Sequence, residues 1–172
     1  MRLYIVRHGE TDANAQGIVQ GWLDTELNKK GLAQAVDTAS DFSKPVDAIY
    51  SSDLKRAMRT AQEFRDHYVD VPYFEDRRLR ERNFGDAAGT HRDNHDWEQF
   101  WSIEDRSTIP NAEIINDFTM RVKDFLDELK TKPYASVLVV THGGVLNRIQ
   151  TILDPNHQHY SHENTSILEI DI

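Results

Sequence analysis

The chain has 172 residues, 38% of them hydrophobic and 28% charged, with a formal net charge of −9 and no cysteine. This length predicts one globular domain over residues 1–172, long enough to bury a full sheet, and the missing thiols exclude disulfides and thiol chemistry. An acidic surface argues against nucleic acid or an anionic membrane as partner, and the apolar runs are too short to span a bilayer.

Alternation and β-branching in residues 2–6, around the short apolar run Leu3 to Val6, predict a buried strand. It ends in Arg7-His8-Gly9-Glu10-Thr11. Arg7 offers a rigid fork of donors suited to phosphate oxygens, and a neutral imidazole at His8 is a competent nucleophile. Gly9 is expected to let the chain turn sharply and approach a ligand closely. Because this strand carries His8, no cleavable leader is expected and the protein is expected to be cytoplasmic. Next, Asn28 is placed to cap a helix with Leu32, Ala35, Val36, Ala39 and Phe42 on its core face.

Val46 to Tyr50 predicts a second strand, leading through Ser51-Ser52-Asp53 into a helix with Leu54, Met58, Ala61 and Phe64 on one side. Either Ser52 or Asp53 would cap that helix. Arg56 then lies in its first turn, at the positive end of the helix dipole, where anions are favoured. Residues 69–74 read as a further strand, followed by an acidic loop in which a carboxyl could protonate a departing oxygen and later deprotonate water. Spacing alone leaves Glu75, Asp76 and Glu81 as candidates for that role.

Between Asp86 and Pro110, a polar segment bearing Trp97, Phe100 and Trp101 predicts a small cap of short helix and loops over the site. Its aromatics are expected to pack the cap onto the body. Ala112 to Lys130 predicts a helix with Ile115, Phe118, Val122, Phe125, Leu126 and Leu129 in the core. The strongest strand, Ala135 to Val140, delivers Thr141-His142-Gly143-Gly144 into another helix N-terminus, and Thr165 to Ile172 predicts a last strand. His91, His95, His157, His159 and His162 lack the cysteine or carboxylate companions of a ligand set, so no metal and no cofactor is expected. The alternation of elements predicts an α/β three-layer sandwich with a largely parallel central sheet and a site at its carboxyl edge.

Five stretches recur in order over nearly the whole chain. They are Arg7 to Thr11 with Asn14; Gln20 to Asp24 through Leu27 and Gly31; Ser51 to Ala57 with Thr60-Ala61; Glu81 to Gly85; and Thr141 to Val145. In these the chain resembles the histidine phosphatase superfamily, the phosphoglycerate mutase-like family. The resemblance implies that fold and a phosphorylated nucleophile at His8. It implies that Arg7 and Arg56 grip the phosphate, that a charged His142 helps hold its oxygens, and that Glu81 is the proton donor. It also implies that Asn14 and Gln20 line the pocket, with backbone of Gly21 and Gly143 assisting. The Gly9 carbonyl would hold the second ring nitrogen of His8, and positive side chains would stand in for a metal.

The chain departs from the family pattern at the pocket rim. Ile18 stands where many members have Arg, Ala87-Ala88 where Trp-Glu is frequent, and Asn111-Ala112 where Gly-Gly is common. These changes touch substrate choice more than the chemical step. The leading expectation is a metal-independent phosphatase for a small phosphomonoester. A phosphoglycerate mutase and a non-catalytic phosphate-binding module are the alternatives. A mutase must shield its phosphohistidine from water, and a chain ending at its last strand has no tail to do so, which favours hydrolysis. The expected partner is a small phosphorylated substrate, and a homodimer is the commonest assembly if one forms.

Overall fold

The computed structural model describes residues 1–103 and 105–172. Its five strands are β1 (Arg2–Arg7), β2 (Ala48–Ser51), β3 (Tyr73–Glu75), β4 (Ser136–Thr141) and β5 (Ile167–Asp171). They form one sheet in the order β3-β2-β4-β1-β5, in which only β5 runs antiparallel to its neighbour. Among the described residues the helices are α1 (Asp12–Ala15), α2 (Lys29–Asp41), α3 (Lys55–His67), α4 (Trp97–Ser102), α5 (Ile115–Leu129) and α6 (Gly143–Leu153). None is long and apolar enough to cross a membrane.

Alternation along the strands divides the core into two layers. Leu3, Ile5, Val137 and Val139 face α5 and α6, where Phe118, Val122, Phe125, Leu126, Val145 and Ile149 cover them. Tyr4, Val6, Ile49, Leu138 and Val140 face the other way, onto Ala39 of α2 and Ala57, Ala61 and Phe64 of α3. The chain therefore leaves β1 toward one face and leaves β4 toward the opposite face. A crevice opens where such neighbouring strands diverge, beyond their carboxyl ends.

Several local expectations are corrected. The strand expected over 69–74 is only Tyr73–Glu75, at the sheet edge, where Val69 and Asp70 have no strand to pair with. Val36 belongs to the predicted core stripe of α2 but is 43% exposed, because the sheet is reached only by the Ala35 and Ala39 line. Asn28 caps α2 as expected, accepting the Gly31 N–H at 2.8 Å. The cap of α3 is neither Ser52 nor Asp53. Asp24, 31 residues upstream, takes the Lys55 N–H at 2.8 Å, while Asp53 forms a fork with Arg80 at 2.6 and 2.7 Å.

Gly9 is required for a different reason from the expected turn. A Cβ there would run into the carbonyl of Gly31, so the glycine lets α2 approach the end of β1. Over the crevice, residues 85–102 form short 3₁₀ turns and α4, packed on a small third core of Val19, Ala87, Phe100 and Ile109. Arg82 pins this segment to the body. Its buried guanidinium lies 3.6 Å from the Phe100 ring centre and donates to the carbonyls of Phe100 and Glu113, each at 2.8 Å. Burial pushes its pKa down to about 10.

Candidate active site

Parallel register aligns Arg7 of β1 with Thr141 of β4, so the next residue of each strand, His8 and His142, meet at the carboxyl edge. Their ring centres are 5.1 Å apart and the rings are inclined by 61°. Every polar atom of His8 is engaged. Its N–H donates to the Thr141 carbonyl at 2.9 Å and its carbonyl accepts from Asn164 Nδ2 at 2.8 Å. In the ring, Nδ1 lies 2.7 Å from the Gly9 carbonyl, and Nε2 lies 3.3 Å from Nε of Arg56.

These partners define the tautomer. A carbonyl can only accept and a guanidinium can only donate, so Nδ1 carries the proton and Nε2 keeps its lone pair. Burial, then the charges of Arg56 and Arg7, hold the His8 pKa well below the usual imidazole range. The ring is thus neutral near pH 7.

Arg56 reaches Nε2 from the first turn of α3. Its other nitrogens donate to the carbonyls of Leu23 and Gly21, each at 2.8 Å, so the loop after Gln20 aims the guanidinium. Burial pushes its pKa down to about 10. Arg7 is anchored by the His162 carbonyl, and its buried Nε has no partner among the described residues. Desolvation lowers its pKa too. Both guanidinium groups are therefore costly to bury alone, and a bound anion offsets that cost.

The two arginines, His8 and Glu81 border one cavity of about 320 Å³, together with Asn14, Gln20, Gly21 and Gly143. Asn14 and Gln20 spend their amide oxygens on neighbours: Thr11 N–H donates to Asn14 Oδ1 at 3.1 Å, and Thr25 Oγ1 donates to Gln20 Oε1 at 2.5 Å. Gly21 takes part through its carbonyl, by holding Arg56. Of the three acidic candidates, only Glu81 reaches the cavity. Its oxygens accept the N–H groups of Arg82 and Gly144 at 2.8 and 2.9 Å. Asp76 instead caps a turn and pairs with Arg78, and Glu75 sits exposed at the sheet edge.

His142 departs from the expectation of a charged phosphate ligand in the cavity wall. It is fully buried behind His8, with Nε2 2.9 Å from Ser52 Oγ and Nδ1 unpartnered among the described residues. Burial, then the charge of Arg56, holds its pKa well below the usual range, so the unliganded site keeps it neutral. Ile18, Phe84, Trp97, Trp101 and Arg92 complete the wall. Arg92 carried no sequence signal, Phe84 stood within the Glu81 to Gly85 stretch without a role assigned to it, and the tryptophans were expected to pack the cap more than to meet substrate.

Histidines outside the site bond to local side chains: His95 to Thr90 at 2.6 Å, His159 to Thr151 at 3.0 Å and His157 to Asn147 at 3.3 Å. Among the described residues, no three His, Asp or Glu side chains gather in a way that would hold a metal.

Comparison with known proteins follows the same lines. A family model described as the histidine phosphatase superfamily (branch 1) matches residues 3–172. The chain is 37% identical to a metal-independent phosphoserine phosphatase of Arabidopsis thaliana over 163 residues, 86% of this chain and 66% of that one. It is 28% identical to a 2,3-bisphosphoglycerate-dependent phosphoglycerate mutase of Bartonella bacilliformis, over 88% of this chain and 81% of the mutase. Among solved structures, a mycobacterial glucosyl-3-phosphoglycerate phosphatase in complex with VO3 matches with a TM-score of 0.86 and 28% identity, covering 99% of this chain and 92% of the other.

Proposed function

The chain belongs to the histidine phosphatase superfamily, and from that premise we propose that it is a metal-independent phosphatase, hydrolysing small phosphomonoesters through a phosphohistidine on His8 with Glu81 as proton donor. The observation that carries this reading is the state of His8: a neutral ring, its Nδ1 proton held by Gly9 and its Nε2 lone pair beside two arginines at a cavity. A fixed tautomer with an unprotonated Nε2 is what a nitrogen nucleophile needs.

In the first half-reaction Nε2 attacks phosphorus as the ester P–O bond breaks, and Glu81 gives its proton to the departing oxygen. Arg7 and Arg56 hold the non-bridging oxygens as charge moves onto them. In the second, Glu81 takes a proton from water, the water oxygen bonds to phosphorus and the P–N bond breaks, releasing inorganic phosphate. Two guanidinium groups at contact range supply the charge stabilisation for which other phosphotransferases use a cation.

The decisive experiment is hydrolysis of p-nitrophenyl phosphate in EDTA by the wild type and by His8→Ala. Turnover is expected in the wild type and lost by at least about 10³-fold in the variant. A wild type inactive in EDTA but restored by a divalent cation, or a fully active His8→Ala, would sink the proposal. The likeness to the Bartonella mutase supports a second reading, since both reactions share the phosphoenzyme. A mutase would pass its phosphoryl group to a phosphoglycerate faster than to water.

A further inference from the structure

The loop that presents Glu81 has little regular secondary structure, yet it is fastened residue by residue from outside the cavity. Arg121 of α5 donates through Nη1 to the carbonyls of Arg78 and Arg80 at 2.6 and 2.7 Å, and through Nη2 to the Glu81 carbonyl at 2.8 Å. Its two remaining N–H groups form a fork with Glu113 at 2.7 and 2.9 Å. All five guanidinium donors are thereby used. Glu113 in turn accepts the Asn83 N–H at 3.0 Å and donates its own N–H to the Asn83 carbonyl at 2.9 Å. Neither Arg121 nor Glu113 borders the cavity.

We propose that Arg121, braced by Glu113, is the positioning residue that sets where the Glu81 carboxyl stands relative to the phosphoryl group; this rests on Glu81 being the proton donor. The Trp22 indole N–H donates to the same Glu81 carbonyl at 2.7 Å, but only Arg121 ties that carbonyl to those of Arg78 and Arg80, and holding this stretch of backbone fixes the direction in which the Glu81 side chain leaves it. Displacing a proton donor by about 1 Å costs on the order of 100-fold in rate. Lysine cannot substitute. One ammonium on a flexible stem has three donors, too few for three carbonyls and a carboxylate fork.

The test uses the dependence of kcat/KM on the leaving group. An alkyl phosphomonoester needs a proton on its departing oxygen, whereas 2,4-dinitrophenolate leaves without one. Arg121→Lys, Glu113→Gln and Glu81→Gln are compared on both esters, with the alkyl ester chosen as the one the wild type hydrolyses fastest. Circular dichroism reports the fold of each variant. Arg121→Lys is expected to lose about 10- to 100-fold on the alkyl ester and less than about 3-fold on the dinitrophenyl ester, with Glu81→Gln showing the same selectivity. Glu113→Gln, which keeps one acceptor of the fork, is expected to shift in the same direction by less, and carries the test if Arg121→Lys does not fold. Equal losses on both esters, or none, in folded variants while Glu81→Gln stays selective would overturn the positioning role and leave Glu81 the donor. A Glu81→Gln variant without selectivity would overturn the donor reading and the positioning role with it.

Discussion

Two backbone N–H groups hold the Glu81 carboxylate, and one of them belongs to Gly144, where a side chain would need the space that carboxylate fills. A Cβ on Gly144 would collide with Glu81 Oε1 and come within 3.1 Å of the Trp101 ring. The colliding oxygen is the far end of a flexible side chain, so the fold has room to adjust while the carboxylate does not stay in place. Gly144→Ala also replaces a glycine in the first turn of α6, a change that does not oppose the helix. The expected outcome is a melting temperature unchanged or raised, with kcat/KM for an alkyl phosphate reduced by about tenfold or more. Calorimetry and steady-state kinetics on the same preparation check it; a stable variant with full activity would show that the Gly144 contact does not matter. This glycine could be named from the sequence as part of Thr141-His142-Gly143-Gly144. Its partner could not, because 63 residues separate Gly144 from Glu81.

At the scale of elements, the apolar periodicity of β1, β4 and α5 was sufficient to place them, since all six predicted core residues of α5 are buried. The cap of α3 was beyond that kind of reading. A local Ser or Asp satisfies the usual rule, but Ser52 faces His142 and Asp53 faces Arg80. Asp24 fills the vacancy from a loop whose carbonyls also hold Arg56, so one loop sets both the start of the helix and the aim of its arginine. Asp24→Ala is expected to cost about 1 kcal/mol of stability, as for loss of an ordinary N-cap. It should also weaken competitive inhibition by inorganic phosphate, because the first turn that carries Arg56 loses its brace. Urea unfolding and inhibition constants check the two parts; unchanged phosphate inhibition would separate the cap from the site.

For the whole molecule, the site is a basic crevice in an acidic protein. A net charge of −9 spread over the surface is screened within about 8 Å at physiological salt, so it does not bar a phosphate ester from arginines at contact range. The burial that makes His8 and His142 neutral also ties stability to pH. Both pKa values lie well below 6.5 in the folded chain, so below that pH the unfolded chain binds more protons than the folded one. The contribution is fully present above about pH 6.5. It is lost as pH falls, by at most about 1.4 kcal/mol per pH unit for each histidine until its folded pKa is reached. Urea unfolding of the wild type and His8→Asn between about pH 7.5 and 5 is expected to show the steeper loss in the wild type. Parallel curves would mean that His8 titrates alike in both states.

By itself the sequence determined the sandwich of parallel strands and helices, because burial of alternating and 3.6-periodic apolar residues is a local property repeated along the chain. It also determined which motifs stand at the carboxyl edge, since each of Arg7, His8, Arg56 and His142 ends or directly follows a strand or lies in the first turn of a helix. Spacing left Glu75, Asp76 and Glu81 open and the family resemblance singled out Glu81; the tertiary structure brings only Glu81 of the three to the cavity. It alone decided that His142 lies behind His8 in neutral form, that Asp24 caps a helix 31 residues away, and that Arg121 spends all five donors on the Glu81 loop and its brace. The physical reason is that hydrogen-bond partners and burial depend on which distant segments share a surface. No local propensity records that.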